Sequence, residues 1–199
     1  YSLYALAAML TGILLLFRCE GLSAQSRERD SLLHILPGQA QDTNRASTYY
    51  HLARYYEKND LDSASHYLEL LKELSEELDY DRGRYRFYER MAVVSFTRGA
   101  HVKALEESRQ GLELARQLKH PGFEIAMLNM ISICYQYLGR TQEQLDYVLQ
   151  AQAKSEEAKD TAKIVGLYTS LAIAYSSLGQ DRKAVQVGLT GVHLREKYR

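Results

Sequence analysis

A forty-residue spacing of turn-forming residues constrains the fold of this 199-residue chain more than any other feature of its sequence. Asn59 is followed at forty-residue intervals by Gly99, Gly139 and Gly179. Mostly small residues recur five positions after this series, and mostly tyrosines recur four positions before it. A period of this length is typical of stacked supersecondary units, each of which buries the apolar face of its neighbour. The sequence therefore predicts a repeat array.

The first half of each unit has the pattern of an amphipathic helix. In the segment 84–98, Tyr88, Met91 and Ala92 follow the i, i+3, i+4 spacing that places side chains on one helical face. Gly99 comes directly after this segment, and glycine ends helices because it tolerates positive φ. We therefore expect a helix that ends at each residue of the glycine series.

The second half of each unit predicts another helix, which makes the unit a hairpin. Segment 102–118 is amphipathic and has short side chains at Ala104 and Gly111, where two helices can approach closely. Thr141 and Asp181 are expected to cap second helices, and Asp160 or Thr161 a first helix. The same pattern predicts the remaining helix pairs at 44–58 with 61–79, 124–138 with 142–158, and 162–178 with 182–198.

The first unit departs from the strict interval. Its leading helix fits the apolar pattern better when it is shifted by one residue, so that Leu52 and Ala53 occupy the core positions. This shift predicts a turn before the second helix that is one residue shorter than in the later units.

These units resemble tetratricopeptide (TPR) repeats in a long, forty-residue variant. The fourth unit carries the family pattern most fully, as Tyr168, Leu171, Ala172, Tyr175, Gly179 and Ala184. The third unit departs from it at Gln144, where alanine is usual. The resemblance implies an all-α fold, a TPR-like solenoid of helical hairpins that form a right-handed superhelix, with about four repeats and a short leading helix.

Three regions are expected along the chain. Residues 3–17 carry no charge, and their fifteen positions are short for a membrane span, which needs about 20 residues. Small residues follow, as at a signal-peptide cleavage site, although a buried helix and an uncleaved anchor stay open as alternatives. The regions are a signal peptide or membrane anchor at 1–26, a leading helix and linker at 27–43, and four repeats at 44–199 (about 44–80, 83–119, 123–159 and 162–198) that continue further along the chain.

This arrangement looks like the exported N-terminal TPR region of a bacterial signalling protein, either a sensor histidine kinase or a membrane-bound transcriptional regulator. The likeness implies a non-catalytic protein–protein interaction module, exported to the periplasm or held on a membrane facing it. It implies a sensory or dimerisation role. A free periplasmic or outer-membrane TPR scaffold is the alternative, and a cytoplasmic TPR adaptor is a second one.

Residues that would support other chemistry are scattered. The six histidines include no i, i+4 pair and the two cysteines form no metal-ligating cluster. The 25 basic and 25 acidic side chains cancel, which argues against nucleic-acid binding. Cys134 lies at an inward helix position, which predicts a packed thiol. We therefore expect no enzyme within this chain, no cofactor and no metal, although a kinase domain further along the chain stays open.

The resemblance also implies a binding groove, because the first helices of successive TPR repeats line a concave surface into which repeat positions 2, 5, 9 and 12 point. The ninth repeat position is apolar in three units, which predicts a neutral or hydrophobic peptide or protein partner, or self-association. Packing of these apolar residues against neighbouring helices is the alternative. The predicted groove residues are Tyr50, Arg54, Arg86, Glu89, Val93, Phe96, Asn129, Ile133, Gln136, Thr169, Ile173 and Ser176.

The last predicted helix carries apolar residues on more than one face, among them Val185, Leu189 and Val192. A terminal helix of a repeat array is usually polar on its outer face. We therefore expect a later segment of the chain to cover this helix, with a partner protein or a second copy as the alternative.

Overall fold

The computed structural model describes residues 27–159 and 161–197. The predicted signal or anchor segment at 1–26 lies outside the described residues, as does the candidate cap Asp160. Within the described ranges, no helix is both long enough and apolar enough to span a membrane.

The described chain folds into helices joined by short turns, and the predicted all-α solenoid of helical hairpins is confirmed. Each helix from α3 to α9 has 17 residues, and successive ones begin twenty residues apart. Residues 27–35 form α1, and a 3-10 turn follows at Leu36–Gly38. The remaining helices are α2 (Thr43–Tyr56), α3 (Leu61–Glu77), α4 (Asp81–Thr97), α5 (His101–Gln117), α6 (Pro121–Tyr137), α7 (Thr141–Glu157), α8 (Thr161–Ser177) and α9 (Asp181–Lys197).

The turns explain why one helical period repeats so evenly. Gly99, the residue predicted to end α4, has φ 77°, and the Ala100 N–H behind it donates to the Ser95 carbonyl at 2.9 Å. This is the Schellman arrangement, which satisfies carbonyls at the end of a helix. The same left-handed backbone conformation recurs in the turns between hairpins, where the residue is not glycine. The residues with positive φ in these turns are Asp79 (49°), Lys119 (51°) and Lys159 (53°).

The first hairpin shows the predicted shift of register. A strict forty-residue interval would bury position 51, but the structure exposes His51 and buries Leu52 and Ala53. The turn that follows is also different, because the Asp60 N–H donates to the Tyr56 carbonyl at 2.8 Å in place of the Schellman bond. The predicted shorter turn is wrong, because α2 ends at Tyr56 and four residues, 57–60, separate it from α3, whereas three residues separate the two helices of each later hairpin.

The predicted N-caps Thr141 and Asp181 are wrong, whereas α8 begins at Thr161 as predicted. Thr141 and Asp181 are the first residues inside α7 and α9, and the N-cap of α7 is the preceding residue, whose side chain makes no capping bond. The residue after the positive-φ position takes the N-cap conformation, so the next residue already lies in the helix. Side-chain caps occur instead at the first hairpin, where Asp42 and Asp60 accept bonds from backbone N–H groups of α2 and α3, and at α6, where His120 Nδ1 accepts a bond from the Phe123 N–H.

Close packing within and between hairpins depends on small residues, as predicted for Gly111. A Cβ at this position would lie 2.6 Å from the Met127 Sδ of α6 and 3.3 Å from the Tyr88 Cβ of α4. The two helices on either side of α5 therefore approach its backbone directly. The predicted packed thiol is also confirmed, since Cys134 is fully buried and burial raises its pKa to about 11.

The stacking of hairpins brings alternate helices into contact on one side. Neighbouring helices pack along the whole series, and α2 also contacts α4, α4 contacts α6, and α6 contacts α8. The even-numbered helices are therefore the closer layer, which places them on the inner, concave side of the array. We call the side of α2, α4, α6 and α8 that faces away from the odd-numbered helices the inner surface.

Candidate functional site

The twelve predicted groove residues all lie on α2, α4, α6 and α8, which are the helices of the inner layer. None of the twelve is buried, and Arg54, Thr169, Ile173 and Ser176 are exposed. Their accessibility suits a binding surface, but the structure brings only some of them together. The inner surface divides into an N-terminal half on α2 and α4 and a C-terminal half on α6 and α8.

An arginine–tyrosine–arginine group dominates the N-terminal half. The guanidinium carbon of Arg86 on α4 lies 4.6 Å from the ring centroid of Tyr50 on α2, and that of Arg54 lies 5.7 Å from the same ring. Cations are attracted to the face of an aromatic ring. Three predicted groove residues thus form one basic and aromatic cluster across two hairpins.

An ion pair lies beside this cluster and joins the same two helices. Arg90 Nε donates to Glu57 Oε1 at 2.6 Å, with side chains only 21% and 10% exposed. The predicted groove residue Glu89 is next to it, and its Oε1 accepts a bond from the Tyr85 hydroxyl at 3.3 Å. Burial raises the pKa of Glu89, although the neighbouring arginines oppose that shift. The carboxylates therefore belong to the framework, and Arg54 and Arg86 supply the accessible charge.

The positive charge of this half affects the pKa of the nearby histidine, His51. His51 is exposed but partly shielded from water, which lowers its pKa, and the charges of Arg54 and Arg86 lower that pKa further. A cavity of about 220 Å³ opens beside it between α1 and α2. Its lining is rich in cationic side chains and comprises Glu28, Arg29, Leu32, His51, Arg54, Tyr55 and Lys58.

The C-terminal half has a different chemistry, centred on a cavity of about 300 Å³ between α6 and α8. Its lining comprises Ile125, Ala126, Asn129, Lys163, Gly166 and Leu167. Ser170 Oγ donates to Asn129 Oδ1 at 3.4 Å, and Lys163 Nζ donates to the Gly122 carbonyl at 2.7 Å. A Cβ at Gly166 would contact nothing within 4 Å, so the floor beside Asn129 is open. This cavity can accept an apolar side chain next to an amide.

Other predicted groove residues contact the framework. The Phe96 ring packs 4.9 Å from His101 and 4.8 Å from Tyr137, so this residue fits the alternative of packing against neighbouring helices. Gln136 Oε1 accepts a bond from Gln144 Nε2 at 3.4 Å, which ties it to the atypical residue of the third unit. Val93 and Ile133 are half-buried, and Ile173 is 38% exposed.

Sequence reasoning missed three residues of the C-terminal cavity. Asn129 is a predicted groove residue, and Ala126 and Gly166 occupy the second repeat position, but Ile125, Lys163 and Leu167 lie outside the four repeat positions from which the groove was predicted. A usable signal was present for Lys163, since it lies three residues before Gly166 and therefore on the same face of α8.

No three His, Cys, Asp or Glu side chains come together as metal ligands among residues 27–159 and 161–197. The expected absence of a metal, a cofactor and catalysis stays a prediction.

Solved structures resemble this fold closely while sharing little sequence. The apo form of RapI has a TM-score of 0.76 at 17% identity, with 95% of this chain and 69% of that chain covered. A signal-transduction ATPase with a tetratricopeptide repeat sensor, from Pyrococcus horikoshii, has a TM-score of 0.74 at 20% identity, with 82% and 25% covered. The fold is that of a TPR-like solenoid.

A third structure, a Rap protein complexed with competence and sporulation factor, has a TM-score of 0.73 at 23% identity, with 80% of this chain and 45% of that chain covered. The chain thus spans a quarter of the Pyrococcus protein and under half of this Rap protein. No protein-family model matches the chain, and no curated protein matches it.

Proposed function

We propose that this chain is a non-catalytic protein–protein interaction module that binds a peptide segment along its inner surface. The observation that carries the proposal is the cavity between α6 and α8, because it joins inner-surface residues of two consecutive hairpins. A groove that crosses several repeats suits an extended peptide, which can contact each even-numbered helix in turn.

The two halves of the inner surface favour a peptide with two kinds of residue. The C-terminal cavity suits a neutral or apolar side chain, in agreement with the expectation from the sequence. The cluster of Tyr50, Arg54 and Arg86 favours a carboxylate, since arginine forms strong charge-assisted hydrogen bonds with carboxylates. The partner is therefore a peptide with an apolar residue at one end and an acidic residue at the other.

We further propose that the module is the sensory region of a bacterial signal-transduction protein and lies outside the cytoplasm. The uncharged stretch at 3–17, followed by small residues, supports export. Two of the similar structures support a ligand-sensing role by analogy, one with a TPR sensor and one with a bound factor. The analogy rests on fold.

Peptide binding can be tested with ligands selected directly on the protein. Dodecapeptides selected from a random phage-displayed library provide the probe, and fluorescence anisotropy measures their affinity for the 199-residue chain. The double variant Val93→Asp with Ile133→Asp should weaken binding by about a hundredfold, because each carboxylate replaces an apolar contact of more than about 1 kcal/mol.

The matched control is Val102→Asp, which adds the same charge at an exposed valine of α5, outside the inner layer. It should leave the affinity unchanged. Unchanged binding by the double variant, with its helical circular dichroism intact, contradicts the inner surface as the binding site.

Export has an independent test. N-terminal sequencing of the chain from a bacterial host should find a mature N-terminus near residue 25 in the periplasmic or membrane fraction. An intact N-terminus in the cytoplasmic fraction contradicts the extracytoplasmic role and favours a cytoplasmic adaptor, with no consequence for peptide binding.

A further inference from the structure

Gly166 lies in the interior of α8, where the packing of the fold gives no reason for a glycine. A glycine inside a helix lowers stability relative to alanine, because it loses more backbone freedom on folding. Gly111 and Gly191 have a packing reason, since an added Cβ would lie 2.6 Å from the Met127 Sδ or 2.8 Å from the Tyr168 Cβ. At Gly166 the φ angle is not positive, and an added Cβ would contact nothing within 4 Å. The space beside it is the cavity between α6 and α8.

The repeat shows what the equivalent space holds in the N-terminal half. Gly166 lies eighty residues after Arg86, and Asn129 lies seventy-nine after Tyr50, which allows for the one-residue shift of the first hairpin. In the N-terminal half, the Arg86 side chain extends over the Tyr50 ring. In the C-terminal half this long side chain is missing, and the cavity of about 300 Å³ takes its place.

The cavity is internal to the array. It lies between α6 and α8, and the hairpin partners of these two helices, α7 and α9, are both described. A ligand side chain can therefore enter the place that a side chain of the array occupies between α2 and α4.

The lining of the cavity suits an aromatic ring. Ile125 and Leu167, each 2% exposed, provide apolar walls, and the Asn129 amide lies beside them. Lys163 also lines the cavity, and its Nζ is held by the Gly122 carbonyl at 2.7 Å. An ammonium group attracts the face of an aromatic ring and repels a basic side chain.

We propose that Gly166 is a specificity-determining residue that keeps this cavity open for an aromatic side chain of the bound peptide. The inference rests on the proposed peptide binding and names the side chain that the C-terminal half receives. A larger residue at position 166 fills the cavity from its α8 side, as Arg86 fills the equivalent space on α4.

Thermal denaturation tests whether the fold itself needs the glycine. Gly166→Ala should raise the melting temperature by about 2 °C, because alanine favours a helix and its Cβ meets no neighbour. Gly166→Leu should not lower it, which also shows that this variant folds. A lower melting temperature for Gly166→Ala would show that the fold requires glycine and would overturn the proposal.

A second test uses N-acetylphenylalaninamide as the probe and needs no selected peptide. In NMR titrations of the 199-residue chain, this amide should shift the Asn129 side-chain amide signal. It should bind more tightly than N-acetylleucinamide, and N-acetyl-lysinamide should leave the signal unchanged. Gly166→Leu should lose the shift, whereas Gln110→Leu, at an exposed residue of α5, should retain it. Equal affinity for the three amides, or a shift that Gly166→Leu retains, overturns the proposal.

The selected dodecapeptide separates this inference from the proposed function. Gly166→Leu should weaken its binding about tenfold, and Gln110→Leu should leave the affinity unchanged. Replacing the aromatic residue of the peptide with alanine should weaken binding to wild type but not to Gly166→Leu. If Val93→Asp with Ile133→Asp weakens binding while Gly166→Leu does not, the inference about Gly166 is wrong and the inner surface remains the binding site. If neither variant weakens binding, peptide binding on the inner surface is itself contradicted.

Discussion

The two halves of the inner surface have the same framework and opposite chemistry. In the N-terminal half, Arg54 and Arg86 flank the Tyr50 ring, whereas the C-terminal half has an open cavity whose lining is uncharged apart from Lys163. Beneath both surfaces the array repeats one packing scheme with nearly the same helix length. The residues at the repeat positions therefore determine the fold, while the residues on the inner surface can vary without loss of stability.

The strongest test of this separation is to break the framework in both halves. Leu52 and Leu171 are equivalent core positions and are 0% and 1% exposed. Leu52→Ala and Leu171→Ala should each lower the free energy of unfolding by about 2–5 kcal/mol, because each leaves a cavity in a closely packed core. Urea denaturation measures the change. A loss below about 1 kcal/mol at either position, as at surface sites, would show that the repeat register is wrong there.

Two glycines on odd-numbered helices, Gly111 of α5 and Gly188 of α9, give a second comparison. Gly111→Ala should cost about 1–3 kcal/mol, because its Cβ enters the space of Met127 and Tyr88. Gly188→Ala should instead stabilise the chain by about 0.5–1 kcal/mol, since its Cβ comes no closer than 4.0 Å to Ala172 and alanine favours a helix. Thermal denaturation compares the two variants. The packing account fails if the two substitutions have the same sign.

The chemistry of the two halves can be separated by salt. A selected dodecapeptide with an acidic end should bind Arg86→Glu about tenfold more weakly, and the remaining affinity should depend less on salt, since Arg54 alone is left to attract the acidic end. Ile133→Asp should also weaken binding but retain that dependence. Anisotropy titrations at low and high salt measure both effects. Equal salt dependence in the two variants would contradict the division of the surface.

The smallest expected effect concerns a buried carboxylate of the framework. Glu107 is 8% exposed, and its Oε2 has no hydrogen-bond partner among the described residues. Burial raises its pKa, so the folded state binds this proton more tightly than the unfolded state, and the group costs stability as the pH rises above about 4.5. Glu107→Gln should raise the melting temperature at pH 7 by about 2 °C, with a smaller gain at a pH of about 4.5. Glu106→Gln, at the exposed neighbour, should change neither value.

The fold was predictable because its signals repeat. Gly99 and its equivalents indicated the turn between the two helices of each hairpin, and Leu171 indicated a core position. The turns between hairpins were less visible, since Asp79 and Lys119 adopt the left-handed backbone that normally favours glycine. Lysine gives no local sign of this conformation, whereas aspartate occasionally adopts it. The turns are held by Schellman bonds, in which the Tyr80 N–H donates to the Ser75 carbonyl at 2.8 Å and the His120 N–H to the Ala115 carbonyl at 3.2 Å.

The candidate site was predictable only in part. The positions of Tyr50 and Arg86 followed from the repeat, but their contact did not, because it depends on the angle between consecutive hairpins. Phe96 was expected in the groove yet packs on Tyr137, which a rule based on position alone does not distinguish. Lys163 was missed because it lies outside the four repeat positions that were considered.

The central claim is that the partner lies on the inner surface, and photo-crosslinking tests it directly. Benzoylphenylalanine replaces Ile133 on the inner surface or Val102 on α5, and the selected dodecapeptide is the probe. Mass spectrometry should identify the peptide attached at position 133 and find none at position 102. Attachment at position 102 alone, or equal attachment at both positions, would contradict the account.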